Sequence, residues 1–175
     1  KSAYNLLTLI NDILDFSRIE SGKMEQERTA FSPAHLVEEA VDMLTLKAFE
    51  KKLELICDID PNLPSRVLGD AIRIRQVLVN LLGNAIKFTE RGEILVDVKE
   101  RGSRREENGK YTCCLEIRVK DTGIGIAPDK LNSIFESFTQ ADSSTTRKYG
   151  GSGLGLTISK SLTQMMAGEI TVTSE

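Results

Sequence analysis

Arg73, Gln76, Asn80, Asn84 and Lys87 fall within about 80° of arc when each residue advances by about 100° around a helix. Ile74, Val77, Leu78, Leu81, Leu82 and Ala85 take the opposite side. Asn is a poor residue for a helix interior, because its amide competes for backbone hydrogen bonds. Asn80 and Asn84, followed by Lys87, put two amide oxygens and an ammonium on one line. Hard oxygens suit Mg²⁺, and a lysine suits phosphate. An amphipathic helix with a solvated face would look the same, and the spacing leaves both readings open. A second stretch, Asp121-Thr122-Gly123-Ile124-Gly125-Ile126-Ala127-Pro128, directly follows strand-like residues. Alternate glycines let a backbone turn tightly and approach a flat ligand, and the carboxylate could accept from an exocyclic amine. Taken alone, these residues read better as an ordinary glycine turn. A third stretch, Gly150-Gly151-Ser152-Gly153-Leu154-Gly155, opens a helix. Exposed N–H groups and the helix dipole there would favour an anion. It lacks the Gly-Lys-[Ser/Thr] of a P-loop, and its glycine spacing is not that of the dinucleotide-binding turn. Between the last two stretches lie Phe135 to Asp142 and a polar run ending Arg147-Lys148-Tyr149, a position that suggests a lid.

The elements that must hold these groups come from a chain of 175 residues and 19.4 kDa, about one domain with a short surplus. A net charge of −3 argues against a nucleic-acid-binding domain. No apolar run reaches the roughly 20 residues that cross a bilayer. Cys57 stands alone and Cys113 and Cys114 are adjacent, so their side chains point to opposite faces of a strand. We expect buried, reduced thiols. The single histidine, His35, follows Ser32-Pro33 at a helix start and reads as a surface residue; one histidine weakens any histidine-dependent hydrolase or zinc site. The first residue is Lys, which suggests a piece of a longer chain.

Residues 4–20 predict a helix with an apolar arc wide enough for more than one neighbour, ended by Ser21-Gly22. A short strand is expected within 24–31. A helix follows, capped by Ser32 with Pro33 at its first position. Leu53 to Asp60 alternates as a strand, with Leu53, Leu55, Cys57 and Ile59 on one face. Asp70 caps a third helix reaching Phe88. Strands at Glu93–Lys99 and Tyr111–Lys120 flank a charged connection at 101–110. A last helix spans about Leu154–Met166, with a strand start at Ile170–Thr173. This order predicts an α+β fold, with helices layered on one face of a mainly antiparallel sheet.

Taken together these segments resemble the catalytic, ATP-binding domain of sensor histidine kinases, on the Bergerat (GHKL) fold. Gly69 to Thr89 looks like the N box, Asp121 to Pro128 the G1 box, Phe135 to Asp142 the F box and Gly150 to Gly155 the G2 box. The wording FESFTQAD and TTRKYGGSGLGL is most like hybrid sensor kinases. Residues 1–23 resemble the end of the second helix of the dimerisation and phosphoacceptor hairpin, and 24–175 the catalytic domain. The resemblance implies a two-layer α/β sandwich with a mostly antiparallel mixed sheet. The family's final strand would lie beyond Glu175.

The resemblance also implies roles. Asn84 would ligate the Mg²⁺ that bridges the ATP phosphates, with Asn80 supporting it and Lys87 contacting phosphate oxygens; these three are the expected catalytic residues. Asp121 would accept from the adenine amino group, with Gly123 and Gly125 letting the backbone pass close to the base, and Phe88 and Ile126 would be further ATP-binding residues. Gly150, Gly151, Ser152, Gly153, Leu154 and Gly155 would wrap the phosphates, and Arg147 and Lys148 would be lid cations. Phe135 and Phe138 would anchor the lid. The cofactors implied are ATP and Mg²⁺. The implied partners are the hairpin of the same protein, in a homodimer, and a response regulator receiver domain. The implied setting is cytoplasmic, with any membrane attachment outside these residues. The acceptor histidine would lie outside them too, since Leu36 and Val37 follow His35 where the family motif needs an acidic residue and an Arg. Such a piece would bind ATP yet not phosphorylate itself. Two alternatives are an ATP hydrolase of the gyrase, Hsp90 or MutL type, and a degenerate kinase serving as a binding and dimerisation module. The hydrolases carry a Glu four residues before the metal-binding Asn; here that residue is Asn80.

Overall fold

The computed structural model describes residues 2–107, 110–131, 133–136 and 153–174. Along the chain these form α1 (Ser2–Glu20), β1 (Thr29–Phe31), α2 (Pro33–Glu50), β2 (Glu54–Ile59), β3 (Val67–Gly69), α3 (Ala71–Phe88), β4 (Glu93–Glu107), β5 (Lys110–Asp121) and α4 (Gly155–Met165). They group into two compact units. One comprises residues 1–29, 69–81 and 125–175, the other 30–68 and 82–124. A two-stranded sheet pairs β1 with β3.

The second unit is built on a three-stranded sheet in the order β2-β4-β5. β2 runs parallel to β4 and β4 antiparallel to β5, so the sheet is mixed. Along β4 the side-chain period of two separates the faces. Ile94, Val96 and Val98 are fully buried, while Asp97 on the other face meets Lys99 at 2.7 Å and Arg118 at 3.0 Å. α2 lies against β2. Its Leu36, Val37, Ala40 and Leu44 are buried, as are Leu82 and Ile86 of α3. Each Leu, Val or Ile among them contributes about 1.5–3 kcal/mol on leaving water.

Helix ends follow their local chemistry. The Ser32 hydroxyl accepts from the His35 N–H, with Pro33 in the first turn. His35 itself is exposed beside Glu38 and Glu39, as a surface residue would be. α2 closes with Lys52 in the left-handed region (φ 59°), the Lys52 N–H donating to Phe49 O and the Leu53 N–H to Ala48 O. α4 closes the same way through Ala167 (φ 57°), with Ala167 donating to Gln164 O and Gly168 to Thr163 O. α1 uses a glycine there, Gly22 (φ 63°). These bonds occupy carbonyls that the last helical turn leaves without partners.

In the first unit, α4 is amphipathic. Leu154, Ile158 and Leu162 are buried, with Phe16 and Ile19 of α1, Met24 and Val77 packed against them. Ile10, Ile13 and Leu14 of α1 remain exposed. Asp70 is 3% exposed and holds two backbone donors. Its Oδ1 accepts from Arg73 N at 3.1 Å, capping α3, and its Oδ2 accepts from Glu27 N at 3.2 Å.

Three expectations are corrected. Cys57 and Cys114 are exposed and Cys113 half-buried, not buried, because β2, which carries Cys57, and β5, which carries the other two, are the two edge strands of the described sheet and their side chains are incompletely covered. The strands of the β4–β5 hairpin continue through the charged segment as far as Glu107 and from Lys110, with a register shift between Arg101 and Arg105. Ladder hydrogen bonds need no apolar side chains to extend a two-stranded ribbon. Residues 170–173 form no strand, since no described strand pairs with them.

Candidate functional site

In the second unit, the last turn of α3 carries Asn84, Lys87 and Phe88. Asn84 is half-buried, and its side-chain amide has no hydrogen-bonded protein partner among the described residues. The Lys87 ammonium lies 4.6 Å from the centroid of the Phe88 ring, and burial holds its pKa below the ordinary lysine value. A cation desolvated in this way gains from an approaching phosphate, which restores the favourable charge environment that water supplied.

The turn after β5 stands against the same helix end. The Gly123 N–H donates to Asp121 Oδ1 at 2.8 Å, and Ile124 N donates to Phe88 O at 3.3 Å. A Cβ on Gly123 would come within 2.6 Å of Asp121 Oδ1 and 2.7 Å of Phe88 O, so only glycine brings the backbone this close. The second oxygen of Asp121, exposed, has no protein donor among the described residues. Thr122 pins the turn to β4: its Oγ1 accepts from Glu93 N at 3.0 Å. Asn84, Lys87, Phe88, Asp121 and Gly123 are thus brought together on one rigid end of a helix and the turn bonded to it.

Lys51, which the sequence pattern did not single out, completes this end. Its Nζ donates to Ile86 O at 2.6 Å, Lys87 O at 3.0 Å and Thr89 O at 3.1 Å. A lysine at the end of a charged helix reads as solvated. Only the unpartnered carbonyls required at the end of α3 signalled a donor.

In the first unit, Asn80 Nδ2 donates to Ser159 Oγ of α4 at 2.8 Å, and Ser159 is 2% exposed. The Oδ1 of Asn80 faces Gly155, where a Cβ would stand 2.5 Å away. Asn80 therefore fixes the start of α4 through a close backbone approach. Arg73 and Gln76, on the same helical line, are held by α1: Gln76 Nε2 donates to Asp15 Oδ2 at 2.8 Å, and Arg73 Nη1 donates to Gln76 Oε1 at 2.9 Å. The polar line of α3 is thus divided, its early members engaged by α1 and α4 side chains. Gly125 takes a left-handed φ of 68° and Ile126 N donates to Ser174 Oγ at 2.8 Å. Gly153 is also left-handed, φ 70°, and Leu154 is buried at the start of α4. Phe135 is half-buried with the Lys160 ammonium 5.8 Å from its ring centroid. Phe138, Arg147, Lys148, Gly150, Gly151 and Ser152 lie outside the described residues. Among the described residues no cluster of three acidic, His or Cys side chains could hold a metal by itself, and no helix is long and apolar enough to cross a membrane.

Known proteins resemble this chain in sequence and in fold. The chain is 46% identical over 179 residues to hybrid signal transduction histidine kinase A of Dictyostelium discoideum, covering 99% of this chain and 8% of that protein. It is 42% identical over 175 residues to the signal transduction histidine-protein kinase BarA of Escherichia coli K12, covering 100% of this chain and 18% of that protein. The chain spans under a fifth of the length of these curated relatives. Full-length ShkA, solved in complex with AMPPNP, superposes with a TM-score of 0.83 at 34% identity, over 99% of this chain and 34% of that one. Together with the match of residues 69–175 to the histidine kinase-, DNA gyrase B-, and HSP90-like ATPase family, this shows that the chain belongs to that family, as an α+β domain of the histidine kinase catalytic type.

Proposed function

We propose that this chain is the ATP·Mg²⁺-binding kinase module of a hybrid sensor histidine kinase, donating the γ-phosphoryl group to a histidine outside these residues. The observation that carries the reading is the end of α3. An amide without a protein partner (Asn84), a desolvated cation (Lys87) and a carboxylate with a spare acceptor oxygen (Asp121) share one rigid end of the fold.

The donor set fits Mg²⁺ delivered with its nucleotide. Asn84 would hold the ion through one hard amide oxygen, and no acidic cluster among the described residues could bind it alone. When bound with ATP, Mg²⁺ spreads and neutralises phosphate charge. Every other task belongs to the chain. Asp121 accepts from the adenine amino group, and Gly123 lets the backbone pass beside the base. Lys87 neutralises phosphate oxygens. The motif order assigns Asn80, which is bonded to Ser159, to support of the metal and phosphates, Gly153, Leu154 and Gly155 to the phosphate loop, and Phe88, Gly125 and Ile126 to nucleotide binding. The motif order assigns Phe138, Arg147, Lys148, Gly150, Gly151 and Ser152 to the lid and phosphate loop, and Phe135 to its anchor. Phosphoryl transfer then needs little covalent work from the protein: it positions the donor and offsets developing charge.

Residues 1–23 supply the end of the hairpin's second helix. Their support is the two-sided apolar surface of α1, with Phe16 and Ile19 covered and Ile10, Ile13 and Leu14 exposed, as a bundle helix requires. The partners are the rest of that hairpin, in a homodimer, and the receiver domain of a response regulator. A hydrolase reading is disfavoured by Asn80, whose amide cannot act as general base and is already bonded to Ser159.

The test is nucleotide binding by calorimetry with and without Mg²⁺. Asn84→Ala should abolish most of the Mg²⁺-dependent gain in ATP affinity while leaving metal-free binding nearly unchanged. Equal Mg²⁺ dependence in both proteins would remove Asn84 from the metal site. Adding a separate hairpin that carries the acceptor histidine should then yield acid-labile phosphate on that hairpin and none on His35.

A further inference from the structure

An α-helix ends with four carbonyls that lack intrahelical donors, and a buried one left unpaired costs free energy. In α3 each of the four has a partner. Ala85 O accepts from Thr89 N at 3.0 Å, Ile86 O and Lys87 O from Lys51 Nζ, and Phe88 O from Ile124 N. Lys51 adds Thr89 O, so its three N–H groups meet three carbonyls and its ammonium is fully used. These are the peptide groups on either side of Lys87 and Phe88.

The geometry points to Lys51 as a positioning residue for nucleotide binding, a role that rests on the reading of the α3 end as the ATP·Mg²⁺ site. The coupling runs through the backbone. A charged donor bonds a carbonyl more strongly than a neutral one, and a cation at a helix C-terminus also meets the negative end of the dipole. Lys51 therefore sets where the last turn of α3 stops. That turn aims Asn84 and Lys87, and its final carbonyl, Phe88 O, receives the Ile124 N–H of the turn carrying Asp121 and Gly123. Both the phosphate-facing and the base-facing groups of the second unit hang on peptide planes that Lys51 holds. Lys51 is itself fixed. It is the C-cap of α2, its own N–H donating to Ala48 O at 3.1 Å, and the left-handed Lys52 turns the chain directly after it. Its reach across to residues 35 to 38 positions later is thus set by a rigid helix end.

The experiment measures ADP·Mg²⁺ and ATP·Mg²⁺ affinity by calorimetry on the whole chain and on Lys51→Met, Lys51→Arg and Ser32→Ala, with melting temperatures recorded for all four. Met keeps the stem and removes every donor; Arg keeps charge and donors, but its planar fork cannot place three N–H groups on the same three carbonyls. Ser32→Ala removes the α2 cap and controls for destabilisation alone. Dissociation constants should rise in the order wild type, Arg, Met, by about threefold and then at least tenfold, with Ser32→Ala lowering the melting temperature and leaving affinity unchanged. Amide resonances of Lys87, Phe88 and Ile124 should shift in the Lys51 variants before nucleotide is added. Lys51 variants that melt lower yet bind as wild type would overturn the positioning role and leave a purely structural cap. If Lys51→Met does not fold, unchanged affinity in Lys51→Arg overturns it equally. Failure of the wild-type chain to bind either nucleotide would instead overturn the nucleotide reading itself, and the role of Lys51 with it.

Discussion

Gly123→Ala tests the close approach of the Asp121 turn to α3. The added Cβ would lie 2.7 Å from Phe88 O and 2.6 Å from Asp121 Oδ1, the first about 0.8 Å short of an ordinary carbon contact. Phe88 O is backbone at a helix end and cannot rotate aside, so the turn must move away. That movement breaks the 3.3 Å hydrogen bond from Ile124 N to Phe88 O, a net loss of about 1 kcal/mol. Overpacking adds about 1–3 kcal/mol, and the stiffer unfolded chain returns about 0.4–1 kcal/mol. The net cost is about 2 kcal/mol, which lowers the melting temperature of a chain of this size by roughly 4–8 °C. Asp121 swings with the turn, so adenine nucleotide affinity should fall at least about tenfold, the equivalent of about 1.4 kcal/mol. Gly83→Ala is the matched control. Gly83 sits inside α3, and a Cβ added there would meet nothing within 4 Å. Alanine at that position should stabilise by about 0.5–1 kcal/mol with affinity unchanged. Differential scanning fluorimetry and calorimetry on the two variants read both numbers. If Gly123→Ala melted and bound like wild type, the turn would have slack, and its rigidity could not explain how the base is placed.

Lys52→Gly relieves a left-handed φ of 59° at the end of α2. It should raise stability by about 0.5–1 kcal/mol, read as a higher urea midpoint; an unchanged or lower midpoint would show that the Lys52 side chain contributes contacts that outweigh the strain. Cys57 is exposed, yet burial of its sulfur first, and then Glu38, Asp58 and Asp42, push its thiol pKa up. These causes favour the neutral thiol, so alkylation near pH 8 should be slower than for a peptide cysteine, accelerate beyond the usual thiol range, and quicken in Asp42→Asn. Mass spectrometry after iodoacetamide pulses measures this, and a faster-than-peptide rate would refute the electrostatic account.

What the sequence made legible was what is decided locally. Ser32-Pro33 and Asp70 place caps whose partners are three residues away, and the structure forms both. The glycines at 123 and 155 read as freedom to approach a ligand; in the structure a side chain at either would meet protein atoms, Phe88 O and Asp121 Oδ1 at 123 and Asn80 Oδ1 at 155. What escaped was decided at a distance. Lys51 sits in a Lys-Lys pair at a helix end, and its acceptors are 35 to 38 residues on. Arg73 and Gln76 share a helical line with Asn84, but Asp15, 61 residues from Gln76, draws Gln76 to α1. Alternation along Leu53, Leu55, Cys57 and Ile59 carried no information on which strand would be an edge, so the exposure of Cys57 was not readable. Residues 170–173 have strand-like types, but a ladder needs a neighbour.

The two compact units share the chain in alternation, exchanging it after Thr29, Leu68, Leu81 and Ile124. Neither is a continuous stretch, and one exchange falls within α3. This orders events during synthesis. Every residue of the second unit has been made once Ile124 is added, so its sheet does not wait for the residues after it. The first unit cannot, because the side chains that cover Phe16 and Ile19 belong to α4, at residues 155–165. At ordinary ribosomal rates of about 5–20 residues per second, the apolar face of α1 waits on the order of ten seconds for its cover. In that interval it is free to meet another helix first, and a helix that dimerises before it docks would have its partner chosen by the timetable of translation.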